Sequence, residues 1–206
     1  MTAEPVTSEA DDAPLPAWFY PPPNGWTADD LDRLPPSAPR FELIDGTLVL
    51  RSPQTYFHST VMRRLANAME IAAPGDLRVV VEMTVRLGER QRPEPDILVV
   101  NAAPTTTRTA FTPDEVELAV EIVSAESRER DRRAKPQRYA EAGIRHFWRV
   151  EREDGGGGAG QDAPVVHVCE LDDTTGSYVP TGIHRGRMTV PVPFAMDIDL
   201  TALYRR

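Results

Sequence analysis

Two short segments of the chain, residues 97–100 and 118–123, are almost entirely apolar and rich in β-branched side chains. Runs of this length without polar alternation are typical of strands that are covered on both faces. A helical apolar period precedes them over residues 58–72, and an arginine-rich stretch that ends at Gly143 follows them. A sheet with helices on both faces accommodates these patterns, so the chain is predicted to have an α/β core.

The complete order predicted for the core is a helix, three strands, a second helix and a fourth strand. The first strand is expected at residues 79–87, ahead of the two apolar segments. The second helix is expected from near Arg133 to Gly143, because Pro136 is compatible only with the first turn of a helix. The fourth strand is expected at residues 147–150. This αβββαβ order predicts a central mixed β-sheet flanked by helices.

Further strands are expected outside that core. The pair Asp45-Gly46 lies between the β-prone runs 41–44 and 47–50, which predicts an added N-terminal hairpin. A β-rich run at residues 165–171 begins a set of C-terminal strands.

The N-terminal segment differs in composition from the rest of the chain. Residues 1–25 contain six prolines, are acidic and have few branched apolar side chains, so we expect a disordered tail. Residues 26–206 are predicted to form a single domain. Residues 1–32 carry seven of the 32 acids and no lysine or arginine. The remaining acids and bases nearly balance, which provides no broad basic field for non-specific nucleic-acid binding.

Composition also restricts the class of protein. No run approaches the roughly 18 apolar residues of a membrane span, and the N-terminus lacks the pattern of a secretory signal. We therefore expect a cytoplasmic protein with no membrane partner. The single cysteine, Cys169, excludes an intrachain disulfide and a cysteine-based zinc site.

Two carboxylates lie in apolar surroundings. Asp96 follows Pro95 at the start of one predicted strand, and Glu121 lies inside the next. Burying a carboxylate is costly unless it is paired or bound to a cation. The two groups are therefore predicted either to share a hard cation, Mg²⁺ or Mn²⁺, or to be paired with arginine.

Lys135 is the only lysine in a chain that has 22 arginines. A lysine ammonium is a compact point charge, unlike the planar guanidinium, so this position is a candidate for contact with a metal-bound water or a phosphate. Chance placement of a single residue is the alternative. Tyr139 lies four residues further on, on the same helical face, and is expected to be a core aromatic whose hydroxyl could reach a ligand.

Several short motifs follow one another along the chain. They are Phe41-Glu42-Leu43-Ile44-Asp45-Gly46, His58, Pro95-Asp96, Val120-Glu121-Ile122-Val123-Ser124, Lys135, Tyr139, Ala142-Gly143-Ile144 and Phe147-Trp148. Taken in this order, they resemble the Uma-type family of restriction-endonuclease-like proteins in the PD-(D/E)XK nuclease superfamily. The resemblance runs from about Phe41 to Tyr204 and depends on the combination of motifs, since each one alone is weak.

The resemblance implies a restriction-endonuclease-like core and a metal site for phosphodiester hydrolysis. By position, Asp96 and Glu121 would ligate Mg²⁺ or Mn²⁺, and the main-chain carbonyl of Ile122 is a further candidate ligand. The chain departs from the superfamily at Val123, where the third motif has lysine. Lys135 on the next helix is the natural substitute, provided that its side chain reaches the same site.

Glu42 and His58 belong to the resemblance, but the motif fixes no role for either. Glu42 is a candidate site residue or a surface residue paired across its strand. His58 is a candidate for orienting a ligand or water, or a helix-start residue bonded to backbone. An arginine cluster flanks Lys135 and is expected either to contact a DNA backbone or to form a salt-bridged, solvated face. Its members are Arg128, Arg130, Arg132, Arg133 and Arg138.

These residues predict a metal-dependent endonuclease acting on DNA, in which Asp96 and Glu121 hold Mg²⁺ and Lys135 orients the attacking water. A catalytically inactive nuclease fold that binds nucleic acid or a partner protein is the alternative, motivated by Val123. A phosphoesterase with another substrate is a third possibility. Cleavage of both DNA strands with one site in each chain would favour a homodimer.

Overall fold

The structure is a computed structural model that describes residues 16–103, 105–153 and 163–204. Within these ranges the strands, in chain order, are β1 (Phe41–Ile44), β2 (Thr47–Leu50), β3 (Arg78–Val81), β4 (Thr84–Val85), β5 (Ile97–Val100), β6 (Ala110–Phe111), β7 (Val116–Ile122), β8 (His146–Arg152), β9 (Pro164–Asp172), β10 (Ser177–His184), β11 (Arg187–Val190) and β12 (Met196–Asp199). The α-helices are α1 (Tyr56–Ala72) and α2 (Lys135–Glu141).

Six of the strands form the central sheet, in the order β10-β9-β8-β7-β5-β3. Strands β7 and β8 are parallel, and the other neighbouring pairs are antiparallel. The parallel pair is joined by the crossover that contains α2, as a parallel connection requires. The predicted central mixed sheet, with helix and strand order αβββαβ, is confirmed.

Apolar side chains cover the sheet on both faces. Helix α1 packs Leu65 and Met69 against one face, together with Trp148 of β8 and Met188 of β11. Helix α2 contributes Tyr139 to the cluster on the opposite face. The central strands are therefore buried on both sides, which explains why residues 97–100 and 118–123 lack polar alternation.

The N-terminal hairpin also has its predicted position. Strands β1 and β2 pair directly, with Ile44 opposite Thr47. The two connecting residues, Asp45 and Gly46, have φ values of 50° and 76°, as a tight hairpin turn requires.

The predicted strand at residues 79–87 is interrupted, which corrects its extent. Strand β3 ends at Val81, and Glu82 adopts a φ of 51°. The N–H of Glu82 donates to the carbonyl oxygen of Asp96 over 3.1 Å. The chain then leaves the sheet, and β4 pairs instead with β6 in a separate two-stranded unit. This turn therefore holds the backbone of Asp96 at the edge of the sheet.

The second helix begins earlier than predicted and is not uniform. A π-helical segment, Arg130–Ala134, leads directly into α2. Pro136 lies within the first turn of α2 and has no N–H to donate to the preceding turn, which accounts for the wider turn before it. Gly143 has a φ of 81° just after the helix, as expected at a helix C-terminus.

The predicted tail is described only in part. Residues 1–15 lie outside the described residues. Residues 17–19 form a 3₁₀-helix, and the Trp18 ring lies 6.3 Å from that of Phe41. Arg90 also donates to the carbonyl oxygen of Asn24, so the described part of this segment contacts the domain. In the described parts of the chain, neither helix is long and apolar enough to cross a membrane.

Candidate active site

The register of the central sheet brings the two candidate metal ligands together. Ile97 pairs with Val120 in the antiparallel ladder between β5 and β7. Asp96 and Glu121, each one residue further, therefore lie opposite each other, and opposed residues in such a ladder project from the same face. Both side chains are buried.

Helix α2 supplies one hydrogen-bond donor to each carboxylate oxygen of Glu121. Lys135 Nζ donates to Glu121 Oε2 over 3.1 Å, and the Tyr139 hydroxyl donates to Oε1 over 2.6 Å. Because the two donors are four residues apart, they share one face of the helix. Tyr139 is therefore both the predicted core aromatic and a contact of the site. Lys135 reaches the site even though Val123 occupies the position of the superfamily lysine.

Glu42 is the second partner of the lysine. Lys135 Nζ donates to Glu42 Oε1 over 2.7 Å, and the same oxygen accepts the N–H of Glu94 over 3.1 Å. Asp131, one helical turn before the lysine, lies with Oδ1 3.5 Å from Nζ. Lys135 is only 2% exposed, so a single buried ammonium holds together β1, β7 and the π-helical segment.

Asp96 is fixed from three directions. Its Oδ2 accepts the main-chain N–H of Ile122 over 2.7 Å and lies 3.1 Å from His58 Nε2. His58 is placed by the start of α1, where the Thr55 side chain caps the helix by accepting the His58 N–H. The other ring nitrogen of the histidine, Nδ1, is buried and has no partner among the described residues. The third contact of Asp96 is Arg51, which donates to Oδ1 over 3.3 Å.

Arg51, just after β2, lies among three acidic side chains. Its guanidinium contacts Glu42 Oε1 at 3.3 Å and Glu94 Oε1 at 3.4 Å in addition to Asp96. The side chain is 20% exposed, in contrast to the buried carboxylates around it. Burial opposes the charge, but the neighbouring acids, Asp96 first, raise the pKa of Arg51. Arg51 is therefore a permanent cation at the edge of the site.

Buried carboxyl groups outnumber full cations at the centre of the site. Burial raises the pKa of Glu121 well above its ordinary value; Lys135 opposes this, and Asp131 and Asp96 add to it. The pKa of Asp96 is instead lowered, because His58, Lys135 and Arg51 outweigh burial. Glu94 pairs with Arg40 at 2.6 Å. The four other buried carboxylates contact two full cations, Lys135 and Arg51. These carboxylates belong to Glu42, Asp96, Glu121 and Asp131.

An excess of carboxyl groups over cations fits a divalent cation, which would favour their ionised forms. No group of three or more acidic, histidine or cysteine side chains in the described parts of the chain is arranged to hold a metal alone. The donors at this place are two carboxylates, Asp96 and Glu121, and the nearby main chain of Ile122. Mg²⁺ is commonly bound by one or two carboxylates and retains several waters, so the donor set matches its chemistry.

A surface pocket of about 160 Å³ gives access to the site. The predicted residues Asp96, Glu121, Lys135 and His58 all line it, together with Arg51. Glu42 and Ile122 lie directly behind it, through their bonds to Lys135 and Asp96. All six residues singled out in the sequence therefore meet at one place.

Sequence reasoning missed Arg51, Glu94 and Asp131. Asp131 had an available signal, because it precedes Lys135 by four residues on the same helical stretch. Glu94 had a weaker signal, because it lies two residues before Asp96 and residues with this spacing share one side of an extended chain. Arg51 had no distinguishing signal among 22 arginines.

Most of the arginine cluster forms ion pairs, as the solvated-face alternative predicted. Arg130 pairs with Glu126 at 2.8 Å and Arg133 with Glu129 at 3.0 Å. Arg132 pairs with Glu151, and Arg138 with both Asp45 and Glu141. Arg128 is exposed and has no ion-pair partner in the parts of the chain that the structure describes.

Comparison with known proteins identifies the family. A solved structure from Anabaena variabilis, titled as a "putative nuclease belonging to DUF820", is similar with a TM-score of 0.66 and 17% identity. The similarity covers 86% of this chain and 96% of that one, and it establishes the fold. No curated protein matches the sequence. The model of the Uma2 family, described as "Putative restriction endonuclease", matches residues 28–202, and the chain therefore belongs to this family.

Proposed function

We propose that the chain is a metal-dependent endonuclease that hydrolyses DNA phosphodiester bonds. The observation that carries this proposal is the meeting of Asp96, Glu121 and Lys135, from three separate segments, at one accessible pocket. Two carboxylates can hold a divalent ion, and an ammonium can stabilise the charge that develops on the phosphate, so the set is suited to metal-assisted phosphodiester hydrolysis.

Asp96, Glu121 and the main-chain carbonyl of Ile122 would hold Mg²⁺ or Mn²⁺. Such an ion, when bound, supplies a Lewis acid for the phosphate and lowers the pKa of a coordinated water. His58 is proposed to position Asp96, because its Nε2 lies 3.1 Å from Oδ2. The Ile122 N–H donates to the same oxygen, which leaves Oδ1 directed at Arg51 and the pocket.

Lys135 is proposed to act as a fixed positive charge. Although burial works against the ammonium, Glu121, Glu42 and Asp131 raise the pKa of Lys135, so it stays protonated at neutral pH. It therefore cannot accept a proton from water. Its role is to orient the attacking water and to stabilise the negative charge that develops on the phosphate. Glu42 holds the ammonium in place over 2.7 Å.

The inactive-module alternative started from the absence of lysine at residue 123. The 3.1 Å contact between Lys135 Nζ and Glu121 Oε2 favours the catalytic hypothesis, because the ammonium reaches the carboxylate from another element. An inactive relative would have no need to retain a buried lysine among three acids, since buried ion pairs are seldom stabilising relative to apolar side chains.

The test is cleavage of DNA by the purified protein, with Mg²⁺, with Mn²⁺ and with a chelator. Asp96→Asn and Glu121→Gln should abolish metal-dependent cleavage, and Arg133→Ala, which changes a charge on the exposed side of the same segment, should leave it intact. Loss of Mn²⁺ binding in the two site variants, measured by titration calorimetry, ties the effect to the metal. Cleavage that survives Asp96→Asn would contradict this mechanism.

The substrate class is tested in the same assay. DNA, RNA and a small phosphodiester are compared at equal metal concentration, and preferential cleavage of the small ester would point to a phosphoesterase. If both strands of a duplex are cut together, we expect a homodimer with one site in each chain. Sedimentation analysis with and without DNA measures that state.

A further inference from the structure

A second pocket, of about 300 Å³, adjoins the active-site pocket. The two pockets share Thr55, Ser124 and Ala125 in their walls, so they are adjacent, and together they are called the groove below. The second pocket extends away from the carboxylates towards Tyr56 and Arg128. A ligand long enough to fill both pockets would therefore contact the catalytic carboxylates and the Tyr56 surface at once.

Arg128 gives this second pocket an available positive charge. The pocket contains one acid among its lining residues, Glu151, and this carboxylate already contacts Arg132 and Arg149. Arg128 is exposed and has no ion-pair partner in the described chain. A guanidinium in this setting is suited to a phosphate oxygen, which it can contact with two N–H groups.

Tyr56 gives the pocket an exposed aromatic surface. It is the first residue of α1 and is 72% exposed, which is unusual for a large aromatic side chain. The Tyr204 ring packs against it at 6.3 Å in an edge-on arrangement, and Phe57 supports Tyr204 at 5.0 Å. Tyr56 is thus in contact with Tyr204 on one side, and much of its ring is exposed to solvent.

We propose that this groove binds single-stranded DNA, with the nucleotide next to the scissile phosphate in the second pocket. Arg128 contacts its phosphate, and its base stacks on Tyr56. Grooves that combine backbone-binding arginines with aromatic platforms are the usual design for single strands, because every unpaired base has a free face. In a duplex, the base faces are covered by neighbouring pairs and cannot reach Tyr56. This inference rests on the proposed function and specifies its substrate.

The test measures binding of fluorescent oligonucleotides by anisotropy, in a chelator that prevents cleavage. The wild type should bind a single strand of mixed sequence about tenfold more tightly than the corresponding duplex. Tyr56→Ala should weaken single-strand binding about tenfold, the size expected for one stacked base. Arg128→Ala should weaken it and should also reduce its salt dependence by about one phosphate contact.

Two matched variants serve as controls. Arg133→Ala, like Arg128→Ala, removes one positive charge from the same segment. Arg133 is 80% exposed, is paired with Glu129 and does not line the second pocket. Tyr20→Ala removes another exposed tyrosine, outside the groove. Both should bind the single strand as the wild type does. Equal losses in Arg128→Ala and Arg133→Ala would indicate only a general electrostatic field and would overturn the assignment.

The outcome also separates this inference from the proposed function. Metal-dependent cleavage together with unchanged strand binding in Tyr56→Ala and Arg128→Ala would overturn the groove assignment alone. Duplex binding as tight as single-strand binding would do the same. Failure of the wild type to bind either oligonucleotide would overturn the groove assignment, and failure to cleave DNA with Mg²⁺ or Mn²⁺ would remove the proposed function as well.

Discussion

The ammonium of Lys135 lies 3.1 Å from Glu121 Oε2, although the two residues belong to different elements. Tyr139, one helical turn further, donates to the other oxygen of the same carboxylate over 2.6 Å. One short helix therefore provides both donors, while the two residues that follow the glutamate, Ile122 and Val123, have apolar side chains. The site keeps its positive charge through the packing of α2 on the sheet.

Removing the ammonium should destabilise the fold strongly. Lys135→Met leaves Glu42, Glu121 and Asp131 buried without their shared cation, which typically costs about 3–5 kcal/mol. Urea unfolding of the metal-free protein, followed by circular dichroism, measures this change. The same substitution in the presence of Mn²⁺ should cost less, because the metal replaces part of the lost positive charge.

A double variant distinguishes charge imbalance from poor packing. Lys135→Met combined with Glu121→Gln removes one buried charge of each sign, so it should recover part of the lost stability. The Tyr139 hydroxyl can still donate to the glutamine side-chain oxygen. If the double variant is no more stable than Lys135→Met alone, the cost of removing the lysine comes from packing and the electrostatic argument is wrong.

The sequence predicted the parts of the fold and site that local patterns determine. The apolar runs of β5 and β7 identify buried strands, and buried strands make Asp96 and Glu121 conspicuous. Lys135 is conspicuous because it is the only lysine. Arg51 could not be predicted, because its contact with Asp96 depends on how the N-terminal hairpin docks on the sheet.

Two predicted boundaries were wrong for reasons that hydrophobic periodicity does not show. The strand predicted at residues 79–87 ends early because Glu82 turns to bond the backbone of Asp96, a partner 14 residues away in the chain. The helix before Pro136 begins at Arg128, and its π-helical segment, Arg130–Ala134, is a wider turn that accommodates the missing N–H. Neither feature leaves a signature in hydrophobic periodicity.

The contribution of Glu121 to the stability of the metal-free protein should fall as the pH rises. Burial raises the pKa of Glu121 in the folded state above its ordinary value of 4.5, so the folded protein binds this proton more tightly than the unfolded chain does. The contribution of Glu121 to the free energy of unfolding is therefore fully present below pH 4.5 and is lost as the pH rises through the raised pKa. Glu94 and Asp131, whose pKa values burial also raises, act in the same direction.

Glu121→Gln tests this assignment. At pH 8 the metal-free variant should be more stable than the wild type, and its unfolding free energy should depend less on pH. Thermal unfolding across pH 4–9 provides the comparison, with Glu126→Gln, an exposed acid of the Arg130 pair, as the control. An equal pH dependence in Glu121→Gln and the wild type would mean that folding does not raise the pKa of Glu121.

His58 should affect metal binding without being a ligand itself. Its Nε2 holds Asp96 Oδ2, and loss of such a supporting contact commonly weakens metal binding by about 10–100-fold. His58→Ala should show this loss in Mn²⁺ calorimetry. His58→Gln, whose side-chain amide can reach the same oxygen, should recover most of the affinity. Equal affinity in all three proteins would limit the histidine to a structural role.

Arg51 should compete with the metal for Asp96. Its guanidinium donates to Oδ1 over 3.3 Å and contacts Glu42 and Glu94, so it neutralises the carboxylates when no divalent ion is present. Arg51→Met should therefore lower the stability of the metal-free protein and bind Mn²⁺ about tenfold more tightly. One tenfold step corresponds to about 1.4 kcal/mol, which is close to the lower end of the roughly 1.5–3 kcal/mol of a hydrogen bond to a charged group.

The two effects of Arg51→Met need to be measured on the same preparation. Calorimetry gives the Mn²⁺ affinity, and thermal unfolding with increasing Mn²⁺ gives the stability gained on binding. Arg40→Met is the control, because Arg40 pairs with Glu94 at 2.6 Å but does not line the active-site pocket. Weaker Mn²⁺ binding in Arg51→Met than in the wild type would show that the guanidinium orders Asp96 for the metal. The guanidinium would then not be competing for the same oxygen.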